Sequence, residues 1–364
     1  MNRNEFTGRI AVVGAGAVGG FVGGKLAAAG YDVVLVDAWP EHVEAVRKNG
    51  LTIAEPDGAC SIPVRALHAH ESASIPPCSL DVAFICVKLY DTDWATGIIL
   101  PALKRSGCVV TLQNGLVESI VAARAGWERT LGCIGSGMYV ALEGPGRVRR
   151  SKKAVKSGSC VFYVGEAQGP RSRRAELLTG LLSHVDTAQA TDNLWGLRWA
   201  KLVANAMTSG FSALCGFGLK QTFGDPACCR VMIGLAAEAI DVGAALGYAT
   251  EDVFGVAPDV WRQAQAGDAC AIERTMAALR AQHQLVTDDA LSGTAQDLKK
   301  GKRTEVDFMN GFVAAKAADV HVPAPLHAEV ARLLRRIEEG IDTPGTRHLK
   351  SLEPILGSKA KEGG

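Results

Sequence analysis

Short apolar runs alternate with helix-like segments along the first half of the chain. Segments 19–29 and 42–49 carry helical spacing, and they lie among four apolar runs at 9–13, 32–36, 82–87 and 109–112. Strand–helix alternation with almost uninterrupted apolar strands is typical of a parallel sheet that helices cover on both faces. The pattern therefore predicts an α/β fold, with a doubly wound parallel sheet over residues 1–190.

The pattern changes after residue 190. Apolar residues then recur every three or four positions in five segments, at 194–214, 231–246, 259–283, 288–300 and 305–320. Because strand-like runs are missing there, the sequence predicts an all-α C-terminal domain over residues 191–345. Residues 346–364 are polar and glycine-containing, and we expect them to form a flexible tail.

The bulk composition limits the kind of ligand. The chain has 364 residues, of which 48% are hydrophobic and 21% charged, and this length and core fit two globular domains. Its formal net charge of +1 gives no global field that would attract nucleic acid or an anionic membrane. We therefore expect a small-molecule ligand, with neither nucleic acid nor membrane as partner.

Cysteine usage and hydropathy bear on the location. None of the ten cysteines forms a C-x-x-C pair, and a core of this size needs no disulfides. The apolar start could pass for a secretory signal, but glycines interrupt it and a second strand pattern follows directly. No apolar stretch reaches the roughly 18 residues of a membrane span. These features predict reduced thiols and a cytoplasmic protein.

A glycine-rich turn joins the first strand to the first helix. Gly14, Gly16 and Gly19 form a G-x-G-x-x-G pattern directly after the run at 9–13. In a Rossmann-type domain the first glycine permits a tight turn, the second lets the backbone approach a pyrophosphate, and the third lets helix and strand pack closely. The free N–H groups of the helix start can then bind the anion. The sequence predicts a dinucleotide site at these glycines.

Asp37 ends the second strand, eighteen residues after Gly19. A carboxylate at this point accepts hydrogen bonds from the adenosine ribose and repels a 2′-phosphate. We therefore expect NAD(P)H as cofactor, with NADH favoured over NADPH. The alternative is that Asp37 only caps a loop.

Further motifs follow in order along the chain. They are Val87-Lys88, Gln113-Asn114-Gly115, Pro145-Gly146, Gly165-Glu166, Trp199 with Lys201 and Asn205, Gln296-Asp297, Thr304 to Asp307, and Asn310-Gly311. With the glycine turn, they make the chain resemble the ketopantoate reductase (2-dehydropantoate 2-reductase) family over most of its length. The resemblance implies reduction of 2-dehydropantoate to D-pantoate, a step of the pantothenate pathway, by hydride transfer from NAD(P)H.

Lys201 and Asn205 are four residues apart, so a helix presents them on one face. The surrounding helix is apolar over most of its circumference, and desolvation can lower the pKa of a lysine toward neutrality, where it can act as a proton donor. The resemblance implies that Lys201 is the general acid and that Asn205 contacts substrate. The alternative is a solvated lysine beside a surface asparagine.

Glu305 follows Thr304, which is a plausible helix N-cap with Asp307 three residues later. This spacing predicts a capping box and places Glu305 in the first turn of a helix, where the helix dipole favours a carboxylate. The resemblance implies that Glu305 is the catalytic partner of Lys201. The alternative is that Glu305 only completes a cap.

Lys88 and Asn114 follow the third and fourth strands, at the sheet edge where parallel sheets bind ligands. The resemblance makes Asn114 a cofactor or substrate contact and Lys88 an active-site cation that contacts substrate or cofactor. Without the resemblance, both are ordinary turn residues.

Two substrate positions depart from the family pattern. Ser209 stands where an asparagine is usual, and Gly293 stands where a serine is usual. Ala38 replaces the arginine that holds the NADP phosphate in the family. These departures leave two alternatives, an NAD-dependent D-2-hydroxyacid dehydrogenase acting on another 2-oxo acid, and a non-catalytic nicotinamide-binding redox sensor. A homodimer is possible, and no metal site is expected.

Overall fold

The computed structural model describes residues 6–151 and 160–359. The chain forms two compact units, Met1–Leu194 and Trp195–Gly364. The boundary between the units lies at Leu194, close to residue 190, where the sequence predicted it.

All twelve strands of the described chain lie in the first unit. They are β1 (Arg9–Val13), β2 (Asp32–Asp37), β3 (Leu51–Glu55), β4 (Gly58–Ile62), β5 (Arg65–His68), β6 (Leu80–Ile85), β7 (Leu103–Thr111), β8 (Thr130–Gly135), β9 (Val140–Gly144), β10 (Arg147–Arg150), β11 (Phe162–Glu166) and β12 (Ala188–Ala190). Eight of them form one sheet in the order β12-β11-β8-β7-β6-β1-β2-β5. Only the β8–β11 pair is antiparallel. The α/β prediction of a doubly wound parallel sheet is confirmed.

Helices cover both faces of this sheet because both faces of its strands are apolar. Ile10 and Val12 of β1 belong to one buried cluster, and Ala11 and Val13 belong to another. The helices of this unit are α1 (Ala17–Ala28), α2 (Pro40–Asn49), α3 (Thr92–Ile99), α4 (Glu118–Ala125) and α5 (Arg173–Leu182). Alternate residues of one strand thus enter opposite cores, as expected of a strand buried on both sides.

A second, four-stranded sheet was not predicted from the sequence. Its order is β4-β3-β10-β9, with β10 parallel to β3 and antiparallel to β9. Four of the five residues of β4 are exposed, so this strand lacks the apolar run that marks the strands of the main sheet. Gly146, at a φ of +67°, makes the turn between β9 and β10.

The second unit is helical, as predicted. Its helices are α6 (Leu194–Asn205, which begins at the boundary), α7 (Phe211–Cys215), α8 (Leu219–Gly224), α9 (Pro226–Ala245), α10 (Pro258–Gln265), α11 (Ala269–Leu285), α12 (Gly293–Lys299), α13 (Asn310–Asp319), α14 (Pro325–Glu338) and α15 (Arg347–Lys359). The long helix α9 is buried over most of its surface and forms the centre of this unit.

Two predicted helices are interrupted. A π-helical turn, Ala206–Gly210, separates α6 from α7 within the segment predicted as one helix over 194–214. The segment predicted over 259–283 is two helices, because Gly267 at a φ of +95° ends one and the Asp268 side chain caps the next by accepting a hydrogen bond from the Ala271 N–H.

The prediction of a flexible tail over 346–364 is wrong for its described part. Residues 347–359 form α15, in which Leu352 is fully buried. The side chain of Leu356 occupies the space that a Cβ on Gly234 of α9 would fill, 2.5 Å from that position. Leu356 therefore packs against α9, and residues 360–364 lie outside the described residues.

Within the part of the chain that the structure describes, none of the helices has the length and apolar character that crossing a bilayer requires.

Candidate active site

The three glycines of the first turn meet three different steric demands. Gly14 has a φ of +91°, and a Cβ on it would lie 2.7 Å from the backbone nitrogen of Val87. A Cβ on Gly19 would lie 2.0 Å from the carbonyl oxygen of Gly14, so the first turn of α1 passes directly over the loop. A Cβ on Gly16 would meet nothing within 4 Å. Gly14 and Gly19 are thus required by the fold itself, whereas Gly16 leaves open space above the backbone.

Helix α1 begins at this open space without a side-chain cap. Gly16 is its N-cap residue, and its first turn carries no acidic side chain. The first N–H groups of a helix lack intrahelical partners and attract anions. An uncapped twelve-residue helix behind a glycine with open space fits the pyrophosphate of a dinucleotide.

Asp37 is tied to the same loop. Its Oδ2 accepts a hydrogen bond of 2.6 Å from the Ala15 N–H, and its Oδ1 accepts one of 2.9 Å from the Trp39 N–H. The carboxylate therefore does cap the loop before α2, as the simpler sequence alternative expects. It also lies beside the glycine turn with lone pairs remaining on both oxygens, so capping and ribose binding are compatible.

Two aromatic residues beside Asp37 were missed by the sequence analysis. The His42 ring is only 1% exposed, and its Nδ1 accepts a 3.0 Å hydrogen bond from the Gly146 N–H. Burial lowers the pKa of His42, and the Asp37 carboxylate opposes this shift only in part. The Trp39 ring stacks on the His42 ring at 5.8 Å with 12° between planes, and it is 39% exposed. A partly exposed aromatic surface thus lies next to the carboxylate; its only sequence signal was a tryptophan two residues after Asp37.

Lys88 and Asn114 lie on loops that leave the same edge of the sheet as the glycine turn. These loops follow β6 and β7, which are the next strands to β1. Lys88 is half-buried, and Asn114 is exposed beside Gly115, whose φ is +71°. The structure thus brings Gly14, Lys88 and Asn114 to the carboxyl ends of three adjacent parallel strands.

Gln113, which the sequence analysis did not single out for a role, joins the two loops. Its Nε2 donates to the Val87 carbonyl at 2.9 Å and to the Thr92 Oγ1 at 2.8 Å. The side chain is buried, so both bonds are shielded from water. Gln113 therefore fixes the backbone that carries Lys88.

In the second unit, Lys201 and Asn205 lie on α6, one helical turn apart, and both are half-buried. The opposite side of this helix is anchored in the core: Trp199 is fully buried, and its Nε1 donates a 2.8 Å hydrogen bond to the Ala239 carbonyl of α9. Arg198 is 1% exposed and lies one turn before Lys201 on the same face. A helix fixed in this way holds its polar face in one orientation.

Ser209 and the start of α12 form a hydroxyl cluster. Ser209 Oγ and Thr294 Oγ1 share a 3.0 Å hydrogen bond, and Ser292 Oγ donates to the Ser209 carbonyl at 3.0 Å. Ser212 Oγ donates to Ser292 Oγ, also at 3.0 Å. Gly293, between Ser292 and Thr294, is exposed, and a Cβ on it would meet nothing within 4 Å. The structure therefore places the two positions that differ from the family pattern, 209 and 293, side by side, with open space at the glycine.

The local structure around Glu305 differs from the predicted one. Glu305 precedes a short 3₁₀ turn, Val306–Phe308, and α13 begins only at Asn310, so Glu305 does not lie in the first turn of a longer helix. The predicted capping box is wrong: Thr304 Oγ1 accepts from the Val306 N–H, while the Asp307 carboxylate accepts from Arg335 at 2.8 Å. The Thr304 N–H, which a capping box would direct to Asp307, donates instead to Glu338 Oε1 of α14 at 2.6 Å.

The described residues offer no set of side chains that could bind a metal ion. Among residues 6–151 and 160–359, no three His, Cys, Asp or Glu side chains cluster in a way that could hold a metal ion.

Comparisons with known proteins match both units. The family model described as "Ketopantoate reductase PanE/ApbA" matches residues 10–160, and the one described as "Ketopantoate reductase PanE/ApbA C terminal" matches residues 193–338. The chain is 29% identical over 339 residues to the 2-dehydropantoate 2-reductase of Archaeoglobus fulgidus, covering 92% of this chain and 99% of the relative.

Solved structures show the same two-part architecture. The PanE/ApbA family ketopantoate reductase of Ralstonia eutropha JMP134 matches with a TM-score of 0.75 at 25% identity, over 91% of this chain and 99% of that one. A D-mandelate dehydrogenase solved in a ternary structure with NADH and anilino(oxo)acetate matches with a TM-score of 0.76 at 20% identity, over 92% of this chain and 99% of that one. At 20% identity this second likeness shows the fold alone.

Replacing Gly19 and Gly16 separately by alanine should separate folding from dinucleotide binding. Gly19→Ala forces a Cβ against the Gly14 carbonyl and should lower the free energy of unfolding by about 1–3 kcal/mol. Gly16→Ala has room in the free protein and should cost less than about 1 kcal/mol, while it blocks close approach of a pyrophosphate. Thermal unfolding with and without NADH measures both effects. Gly16→Ala protein that NADH stabilises as strongly as wild type would contradict this assignment.

Proposed function

Because the chain belongs to the ketopantoate reductase family, we propose that it reduces 2-dehydropantoate to D-pantoate. The observation that carries this proposal is that the family's two models match both units, 297 residues in all (151 at residues 10–160 and 146 at residues 193–338), and that the Lys201–Asn205 pair stands on a single anchored helix face. A relative at 29% identity over nearly its whole length has the same activity in its name. Nicotinamide-dependent oxidoreduction is the chemistry of the family, and a bound nicotinamide would supply the hydride to the keto carbon.

Lys201 is the proposed general acid. As the carbonyl carbon becomes tetrahedral, its oxygen gains negative charge, and the Lys201 ammonium transfers one proton to it to give the hydroxyl group. The neutral amine is then reprotonated from solvent. Glu305 is proposed as the electrostatic partner that favours the protonated lysine before transfer. An anchored helix supports this role, because proton transfer needs a fixed donor position.

Substrate binding is proposed for Asn205, Ser209, Lys88 and the segment around Gly293. Asn205 Nδ2 is buried and has no hydrogen-bond partner among the described residues, so it is a donor available to a ligand oxygen. Lys88 offers a positive charge to a carboxylate. Asn114, at the edge of the parallel sheet, is proposed to contact the nicotinamide end of the cofactor.

A second candidate reaction is reduction of a different 2-oxo acid to a D-2-hydroxy acid. The open space at Gly293 and the short side chain of Ser209 favour it, because both leave more volume than the serine and asparagine usual in the family. The same acid and the same hydride donor would serve either substrate.

A cellular compartment can also be proposed for the protein. The ten cysteines all lie within the described residues and form no disulfide there, which supports a reducing compartment, and we propose the cytoplasm. A homodimer remains an expectation from the sequence analysis.

The substrate assignment is tested by a panel of 2-oxo acids. We expect the purified protein to oxidise NADH with 2-dehydropantoate at a kcat/KM at least about tenfold above that for branched-chain or aromatic 2-oxo acids, since this ratio corresponds to about 1.4 kcal/mol of discrimination. Loss of reduced nicotinamide absorbance measures each rate. A higher kcat/KM for another 2-oxo acid would support the second candidate, and cofactor binding without turnover of any acid would overturn both.

The cofactor preference is tested at Asp37. Wild-type protein should prefer NADH, because the carboxylate binds ribose hydroxyls and repels a 2′-phosphate. Asp37→Asn keeps the shape but removes the charge and one of the two backbone hydrogen bonds, and it should reduce the ratio of kcat/KM for NADH over NADPH by roughly tenfold or more. Asp32→Asn, at the exposed beginning of the same strand, is the matched control and should leave the ratio unchanged. Equal use of both cofactors by the wild type would disprove the preference while leaving the dinucleotide site intact.

The acid is tested by replacing Lys201. Lys201→Ala should lower kcat by roughly 10² to 10⁴, and Lys201→Arg should also be slow because a guanidinium does not release its proton near neutral pH. Lys300→Ala, at an exposed lysine of the same unit, serves as control and should keep wild-type kcat. Unchanged turnover in the Lys201→Ala variant would remove this residue from the mechanism.

A further inference from the structure

A π-helical turn, Ala206–Gly210, follows one proposed substrate contact and contains the other. It starts directly after Asn205 and contains Ser209. Turns of this kind are rare, occur mostly as single turns and are frequent at functional sites. Because each residue of a π turn rotates the chain less than in an α-helix, the turn changes the direction of Ser209 relative to Asn205.

A buried side chain binds the first carbonyl of this turn. Asn310 is fully buried, and its Nδ2 donates to the Ala206 carbonyl at 2.8 Å and to Nδ1 of His327 at 3.1 Å. His327 is also fully buried, and its Nε2 contacts the Leu235 carbonyl at 2.9 Å. Since a carbonyl only accepts, Nε2 carries the proton and Nδ1 is free to accept from Asn310. The π turn is thus linked by hydrogen bonds to α9.

Glu238 extends this network to the start of α14. Its carboxylate accepts hydrogen bonds from the Leu326 and His327 N–H groups at 3.1–3.2 Å. The carboxylate thereby caps the helix that carries His327, at the end where the helix dipole favours negative charge. His327, whose ring orients Asn310, is therefore held by hydrogen bonds at its backbone N–H and at both ring nitrogens.

Gly210 gives Asn310 the space to approach. A Cβ on Gly210 would lie 2.4 Å from Asn310 Oδ1. That oxygen is buried and has no hydrogen-bond partner among the described residues, which is an energetic cost that a core built only for stability would avoid. The close approach of Asn310 Oδ1 to Gly210 allows Asn310 Nδ2 to donate its hydrogen bond to the Ala206 carbonyl.

We propose that Asn310 is a positioning residue that holds the π turn and so sets the spacing of Asn205 and Ser209 at the 2-oxo acid site. The inference rests on the proposed function. In this arrangement Ser209 reaches Thr294 at 3.0 Å, and Asn205 Nδ2, which has no hydrogen-bond partner among the described residues, stays available to substrate. If the turn relaxes to regular α-helix, Ser209 rotates away from Thr294 and the two contacts no longer act on one ligand.

The test compares substrate binding in Asn310→Ala with that in the wild type and in one reference variant, Asp225→Ala. Asn310→Ala should raise KM for the best 2-oxo acid by about tenfold to a hundredfold, because a displacement of about 1 Å at a positioned group can cost that much. KM for NADH should stay within about twofold of wild type, because the glycine turn lies in the first unit. Asp225→Ala removes the N-cap of α9 and should lower stability without changing either KM.

Gly210→Ala supplies a second route to the same effect. Its Cβ should displace Asn310 and raise KM for the 2-oxo acid, and the Gly210→Ala change should add little in the Asn310→Ala background, where the clashing oxygen is gone. If Asn310→Ala does not fold, Gly210→Ala alone decides the point. An unchanged KM in a folded variant, or effects of the two changes that simply add, would overturn the proposal.

Hydrogen exchange separates this inference from the proposed function. Amides of residues 206–211 should exchange at least about tenfold faster in Asn310→Ala than in wild type, whether or not any 2-oxo acid is turned over. Faster exchange with unchanged KM would show a merely structural role and reject positioning. Unchanged exchange would reject the clamp itself. Failure of the wild type to reduce any 2-oxo acid would reject the proposed function and leave the exchange result standing.

Discussion

The parallel pairing of β1, β6 and β7 is the constraint on which the loops that carry Gly14, Lys88 and Asn114 depend. Parallel strands end at a common edge, so the loops after them must meet there whatever their sequence. The Cys86 N–H donates to the Val13 carbonyl and the Leu112 N–H to the Ile85 carbonyl, which extends the ladder one residue into each loop. Residues that are widely separated along the chain, Gly14, Lys88 and Asn114, thereby become neighbours, and Gln113 fixes the arrangement from within.

The first unit was predicted well where burial alone decides the structure. The strand at Arg9–Val13 matches its prediction, and β2 extends only one residue beyond its predicted end, because both faces of these strands are apolar. The small sheet was not predicted, since β4 is mostly exposed and its pairing with β3 leaves no apolar run in the sequence. The glycine turn was predicted from its spacing, but the stacking of Trp39 and His42 was not, because their pairing depends on the distant Gly146.

In the second unit the helices were predictable and their interruptions were not. Apolar residues surround α6 and α7 on most sides, so periodicity gives no signal for the π turn between them. That turn depends on Asn310, about a hundred residues later in the chain. The failed capping box has the same kind of cause, because Glu338 of α14 accepts the Thr304 N–H and Arg335 of the same helix binds Asp307. In both cases a contact between distant helices overrides a local pattern.

The docking of α15 on α9 orders the assembly of the two units in time. The sheet of the first unit is complete once Ala190 has been synthesised, and domains generally fold as they emerge, N-terminal first. The central helix of the second unit keeps part of its surface uncovered until Leu356 is available more than a hundred residues later. Nascent chains of this protein therefore carry a complete main sheet in the first unit while α9 of the second unit still exposes apolar surface.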